Sequence, residues 1–150
     1  MSLEALSKKV RVLEDIEEIK KLKARYCLYC DANFDADALV SLFAEGAVWE
    51  GEGLGRFEGR DAIHNFYKNI TQRLTFAVHY VANPIIEVSG NNARGTWYLW
   101  EPATLQGKQA IWIGGRYEDE YVRVDGKWLF KKVYLKILFR APYDKGWAKP

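Results

Sequence analysis

Two histidines, His64 and His79, are all that 150 residues contain. So low a count excludes a His-rich metal centre and the H-E-x-x-H zinc motif. Cysteine is as scarce. Cys27 and Cys30 form a single C-x-x-C pair late in a predicted helix. A zinc site needs a second ligand pair, and a redox site needs a strand-turn-helix setting. Neither is present, so both are read as reduced thiols. There is no G-x-S-x-G elbow and no Walker loop, and Gly51, Gly53 and Gly55 lack the strand-to-helix setting of a dinucleotide fingerprint. An excess of charge is missing too. The 22 basic and 20 acidic residues leave a net charge of +2, which argues against a general electrostatic role on nucleic acid. No run approaches the roughly 18 apolar residues of a membrane span. The start, Met-Ser-Leu-Glu-Ala-Leu, has neither a basic nor an apolar leader segment. A cytoplasmic protein is expected, with no metal, no cofactor, no nucleic acid and no membrane among its partners.

The chain has enough residues for one core, so residues 1–150 are read as a single domain. Aromatic residues make up 15%. Many are Trp and Tyr, whose apolar bodies and polar tips suit a lined cavity or an oligomer interface. Apolar residues recur every three or four positions from Leu3 to Tyr26, which predicts one helix over residues 3–30. A short helix capped by Asp35 and ended by Gly46 follows, then a strand over 47–50 and a third helix over 60–73. From Thr75 the character changes to long extended runs over 78–88, 93–105, 108–124 and 127–140. Turn signals separate them, among them Asp125-Gly126. Helices followed by a strand meander mean α+β. Strands of this length must twist and coil, with Gly114-Gly115 as the place for a bulge. A strongly curved antiparallel sheet with three helices across its mouth encloses a hollow. The tail from Ala141 is read as irregular.

Few residues can carry chemistry. Alternation puts His79 on the apolar face shared by Ala77 and Val81, either as a core histidine or as an inward functional group. His64, among polar residues of the third helix, reads as a surface residue. Asp31 lies at the negative end of the long helix, where a carboxylate is unfavourable without a partner. Tyr26 belongs to that helix's apolar stripe. Trp97, Leu99 and Glu101 share one face of a strand, which makes Glu101 either an acid at the rim of the hollow or a strand-end charge. On the last strand Leu129, Val133, Leu135, Ile137 and Phe139 form the inward set. Trp128, Phe130, Tyr134, Lys136 and Arg140 point away, and their aromatics would cover an oligomer face.

The order of elements, with Ile16 to Tyr26, Asp31, Ala44 to Trp49, Gly59 to Ile63, Gly115 to Tyr121 and Asp125 to Trp128, resembles the SnoaL-like branch of the NTF2-like superfamily. Its fold is a cone-shaped (cystatin-like) α+β barrel. Glu52 to Gly55, His79-Tyr80 and Ile113 to Gly115 are similar to the γ-hexachlorocyclohexane dehydrochlorinases. Trp97 to Leu99, with Tyr26 and Asp31, resembles the bile-acid 7α-dehydratases; the scytalone dehydratases are more distant. All are metal-free eliminases with a histidine–aspartate pair. The resemblance implies His79 as base, Asp31 as its partner and Tyr26 as a pocket hydroxyl. The pocket would be lined by Glu101, Trp97, Leu99, Trp49, Ile113 and Val133. Both families place an arginine on the last strand facing the pocket, where Val133 or Ile137 stands here. The expected activity is a lyase reaction, dehydration or dehydrohalogenation, on a small apolar cyclic molecule. An isomerase or polyketide-type cyclase, or a non-catalytic binding or assembly module, uses the same scaffold. A homo-oligomer is expected, a trimer before a dimer.

Overall fold

A computed structural model describes residues 1–149. Helix α1, Leu3–Asp31, starts at Ser2, whose hydroxyl accepts the Ala5 N–H at 3.1 Å. Its apolar stripe is buried only in the second half, through Ile19, Leu22, Tyr26, Cys27 and Cys30. Leu3, Leu6 and Leu13 are exposed, so the first turns stand clear of the core. Burial pushes the Cys27 thiol up to about 11 and raises Cys30 as well, so both stay protonated near neutrality. Helix α2, Ala36–Val40, is capped by the Asp35 carboxylate, and α3 is Arg60–Ile70.

Seven strands follow a single curled path. They are β1 Phe43–Gly51, β2 Gly55–Glu58, β3 Leu74–Ala77, β4 Tyr80–Ser89, β5 Asn92–Leu105, β6 Gln109–Val124 and β7 Lys127–Pro142. Their order is β2-β1-β7-β6-β5-β3, with β4 also on β5. The sheet is mixed rather than wholly antiparallel, because β1 runs parallel to β7. Gly46 does not end a helix. It lies inside β1 at φ +70°, within the register shift between Phe43 and Val48, so the strand begins earlier than its apolar pattern indicates.

Two bulges on β7 change which residues face inward. Tyr121 of β6 pairs with Phe130 and Glu120 with Lys132, which leaves Lys131 as an extra residue. Gly114 pairs with Phe139 and Gly115 with Ile137, which leaves Leu138 extra. Each extra residue reverses the alternation beyond it. Trp128 and Phe130 therefore face the core, contrary to the strict alternation of the sequence, and Phe139 faces out. The fully buried Phe130 ring packs 5.4 Å from Tyr26 and 5.3 Å from Phe43. Phe139 crosses the bare backbone of Gly114, where any Cβ would collide with its ring. It joins Trp100, Trp112, Tyr143 and Trp147 on the outer face of the sheet. The segment after Pro142 thus packs its aromatics on the outside of the barrel, and β7 extends two residues past Arg140.

Lys23 is the feature that helical periodicity misses. It stands among Lys20, Lys21 and Arg25 in sequence, of which Lys20 is half-buried and the others exposed, yet is itself 0% exposed. Its Nζ lies 2.8 Å from Asp119 Oδ2 and 3.4 Å from the Tyr117 ring centroid. Charge and the ring face together hold the ammonium there. Tyr121 donates its hydroxyl to the same carboxylate at 3.0 Å. Burial raises Asp119 above the usual carboxylate range, and Lys23 offsets part of that.

Desolvating two charges costs several kcal/mol each, about what their attraction returns, so the pair fixes register more than it stabilises. Removing one member alone is different. Lys23→Met is expected to cost about 3–5 kcal/mol at neutral pH, because Asp119 is left charged and unpaired. The loss should shrink as pH falls and Asp119 takes a proton. Urea melts at pH 5 and pH 7.5 check this; equal losses at both would show that packing, not charge, is at stake.

Candidate active site

Pro102 creates the opening in which the site sits. Ala77 pairs with Ala103 and Tyr80 with Trp100, so Val78 and His79 lie opposite Glu101 and Pro102. The Val78 N–H reaches the Pro102 carbonyl at 3.0 Å, but Pro102 has no N–H to return. The ladder breaks there, so the strand expected over 78–88 begins only at Tyr80, and Val78 and His79 lie in the gap between β3 and β4. The His79 N–H donates to Asp31 Oδ1 at 2.8 Å rather than to a strand. The same oxygen lies 2.8 Å from His79 Nδ1. One carboxylate oxygen thus fixes both the backbone and the ring of His79, and it gives the carboxylate at the end of α1 the partner its position requires.

The other ring nitrogen faces a second carboxylate, with Glu101 Oε1 3.3 Å from Nε2. Both the His79 and the Glu101 side chains are 5% exposed, and Asp31 is 28% exposed. Burial pushes the Glu101 carboxyl above its ordinary range. His79 offsets part of that, Asp31 adds to it, and Arg140 offsets a further part. Phe34 sets its ring edge-on to His79 at 5.8 Å. Asn33 and Phe34 hold φ of 55° and 51°, left-handed values that cost a bulky residue about 1–3 kcal/mol and tend to gather at functional sites. The two carboxylates lie on opposite ring nitrogens and do not converge on one point. Among the described residues, no three His, Cys, Asp or Glu side chains are gathered as a metal would require.

Glu101 is also a wall of a chamber of about 360 Å³ inside the barrel. Ile113 lines it as expected, together with Leu54, Ile70, Leu105, Leu135 and Ile137. Trp49, Trp97, Leu99 and Val133 do not line it; all four are buried in the core. Tyr26 is in the core as well, 1% exposed, and its hydroxyl oxygen accepts from Trp49 Nε1 at 3.0 Å and from the Tyr67 hydroxyl at 2.9 Å. The inner end of the barrel is filled by these aromatic rings, so the space that remains is aliphatic rather than aromatic. Arg140 lines the chamber although alternation aims it outward, because the bulge at Leu138 turns it in. It is an arginine on the last strand, at neither Val133 nor Ile137. Arg73, after α3, is the second cation at this wall. His64 is part-exposed with Nε2 2.7 Å from Asp37 Oδ1, away from the chamber.

Comparison with known proteins agrees with this architecture. Residues 11–134 match the SnoaL-like domain. The chain is 28% identical over 128 residues to the gamma-hexachlorocyclohexane dehydrochlorinase of Sphingobium indicum, spanning 80% of this chain and 82% of that one. The crystal structure of hexachlorocyclohexane dehydrochlorinase LinA-type3 from Novosphingobium barchaimii superposes with a TM-score of 0.83 at 26% identity, covering 95% of this chain and 99% of that one. An NTF2-like protein with a cystatin-like fold from Novosphingobium aromaticivorans superposes with a TM-score of 0.73 at 23% identity, covering 91% and 90%. Among the described residues, no helix is long and apolar enough to cross a membrane. With residues 11–134 matched to the family's domain and a curled sheet with helices in place, the chain belongs to the SnoaL-like family.

Proposed function

We propose that the chain is a lyase that eliminates water from a small, largely apolar, cyclic substrate, with His79 as the base. The observation that carries this is the line Asp31–His79–Glu101, at 2.8 and 3.3 Å, whose Glu101 end lines the chamber while His79 stands behind it, outside the lining. Asp31 accepts the Nδ1 proton, which leaves the Nε2 lone pair on the Glu101 side of the ring and stabilises the imidazolium as it forms. A positioned base of this kind is worth about a hundred- to ten-thousand-fold in rate.

Glu101 favours water over halide as the leaving group. A departing hydroxyl must gain a proton, whereas a halide needs none, and a carboxylate beside it would repel it. Burial keeps Glu101 protonated to higher pH than an ordinary carboxyl, as a general acid requires. Nε2 takes the C–H proton, the C=C bond forms as the C–O bond breaks, and Glu101 passes its proton to the departing oxygen to make water. The new Nε2–H then faces the new Glu101 carboxylate and returns the proton across the 3.3 Å gap. Base and acid are reset without bulk water. Dehydrohalogenation is the second reading, favoured by the dehydrochlorinase relatives; it uses His79 and Asp31 in the same way and leaves Glu101 without a role in the chemical step.

Three outcomes follow for cyclic β-hydroxy ketones and their β-chloro analogues, assayed by the absorbance of the enone. His79→Ala should lower turnover at least a hundredfold; retained activity would sink the proposal. Glu101→Gln should lower turnover of the hydroxy compounds by about a hundredfold or more and spare the chloro compounds, since the amide donates a hydrogen bond but no proton. Equal losses on both would assign Glu101 to packing. Turnover of the hydroxy compounds should also fall at high pH as Glu101 loses its proton. That falling limb should be missing with the chloro compounds.

A further inference from the structure

The chamber adjoins a second hollow of about 330 Å³ at the barrel mouth. The two share Arg73, Leu105 and Arg140 as walls, and the second adds Lys108, Gln106 and Gln109. Inside, the surface is aliphatic; at the mouth, three cations border one groove. Four other arginines, Arg56, Arg94, Arg116 and Arg123, each hold a carboxylate. Among the described residues, Arg73, Lys108 and Arg140 hold none. The acids nearby are Glu52, on the chamber wall and 3.5 Å from the Tyr134 hydroxyl, and the buried Glu101, which burial biases toward its neutral form.

The groove is held in shape before any ligand arrives. The Gln106 N–H donates to the Arg73 carbonyl at 2.8 Å, which ties the turn before Lys108 to the segment that carries Arg73. The Gly107 N–H donates to Thr75 Oγ1 at 2.8 Å, where the chain passes through left-handed φ values of 49° and 67° at Gln106 and Gly107. On the facing strand, the extra residue Leu138 turns Arg140 inward. Bulges beside binding sites commonly re-aim one side chain in this way. A guanidinium presents a planar fork suited to two oxygens, and an ammonium adds a point charge.

We propose that the groove bounded by Arg73, Lys108 and Arg140 binds an anionic group, a carboxylate or a phosphate monoester, at one end of an amphiphilic ligand whose apolar body fills the chamber. The groove shares no residue with the Asp31–His79 pair, so it grips the ligand at a point remote from the base. That this ligand is the substrate rests on the elimination reading; the binding itself does not.

The test is equilibrium binding to the full chain, followed by calorimetry at low salt with 4-phenylbutyrate, 4-phenylbutyl phosphate and neutral 4-phenylbutanamide. Both anions should bind about tenfold or more tighter than the amide, and added salt should weaken the anions selectively. Arg73→Gln and Arg140→Gln should each weaken the anions by about tenfold and leave the amide unchanged. Whether carboxylate or phosphate binds tighter identifies the headgroup. The proposal is overturned if the amide binds as well as the anions, if neither anion binds, or if both variants bind the anions like the parent. His79→Ala separates the two readings. If it binds the anions normally while turnover survives the substitution, the elimination mechanism fails and the anion groove stands. If turnover is lost but the parent protein shows no preference for anions, the groove fails and the mechanism stands.

Discussion

One oxygen, Asp31 Oδ1, accepts from both the main chain and the ring of His79, and the geometry of the site depends on it. It ties the last residue of α1 to the gap between β3 and β4 and leaves Nε2 facing Glu101. The gap lies opposite Pro102, which has no N–H to add to the ladder there. Within that gap the helix-terminal carboxylate, not a neighbouring strand, takes up the His79 N–H.

Two buried charge arrangements behave differently in this small barrel. Lys23 and Asp119 are both sealed from solvent and make contact with each other and with tyrosines. Their place is structural, since neither lines the chamber. Glu101 is equally buried but borders open space, and its neighbours are a histidine and, farther off, an arginine. Burial raises both carboxyls, yet Asp119 is engaged by Lys23 and Tyr121, whereas Glu101 faces a histidine ring and lines the chamber. The same physical cause therefore marks a fastening in one case and a candidate proton donor in the other.

The bulges at Lys131 and Leu138 decide what the barrel encloses. The first brings Phe130 under Tyr26 and Phe43, closing the inner end with aromatic packing. The second sends Phe139 out to the Trp100 cluster and turns Arg140 in. Each aromatic buried in this way contributes on the order of 1.5–3 kcal/mol, enough to outweigh the local loss of ladder bonds. The hollow is aliphatic with a cationic mouth because the aromatic rings are used elsewhere.

Much of this was legible in the sequence. Helical period, turn dipeptides and long alternating runs set the order of elements, since they arise from contacts between residues close along the chain. The scarcity of histidine directed attention to His79, and the unfavourable helix-end position of Asp31 called for a partner. The glycine pair at 114 and 115 marked where the register shifts, because a missing Cβ is visible in sequence, but the extra residue lies on the partner strand. Other features were decided only by tertiary structure. Lys131 and Leu138 are ordinary strand residues, and nothing local announces that the opposing strand skips them. Parity assigned Arg140, Phe130 and Trp128 to the wrong face for that reason. Lys23 followed its exposed neighbours in sequence and found Asp119 almost a hundred residues away. Tyr26, Trp49, Trp97, Leu99 and Val133 were recognisable as buried, but burial alone does not say whether a side chain borders a cavity or another side chain. Local pattern determines which residues turn inward within an unbroken element; only the packed fold decides where the register slips and where space is left unfilled.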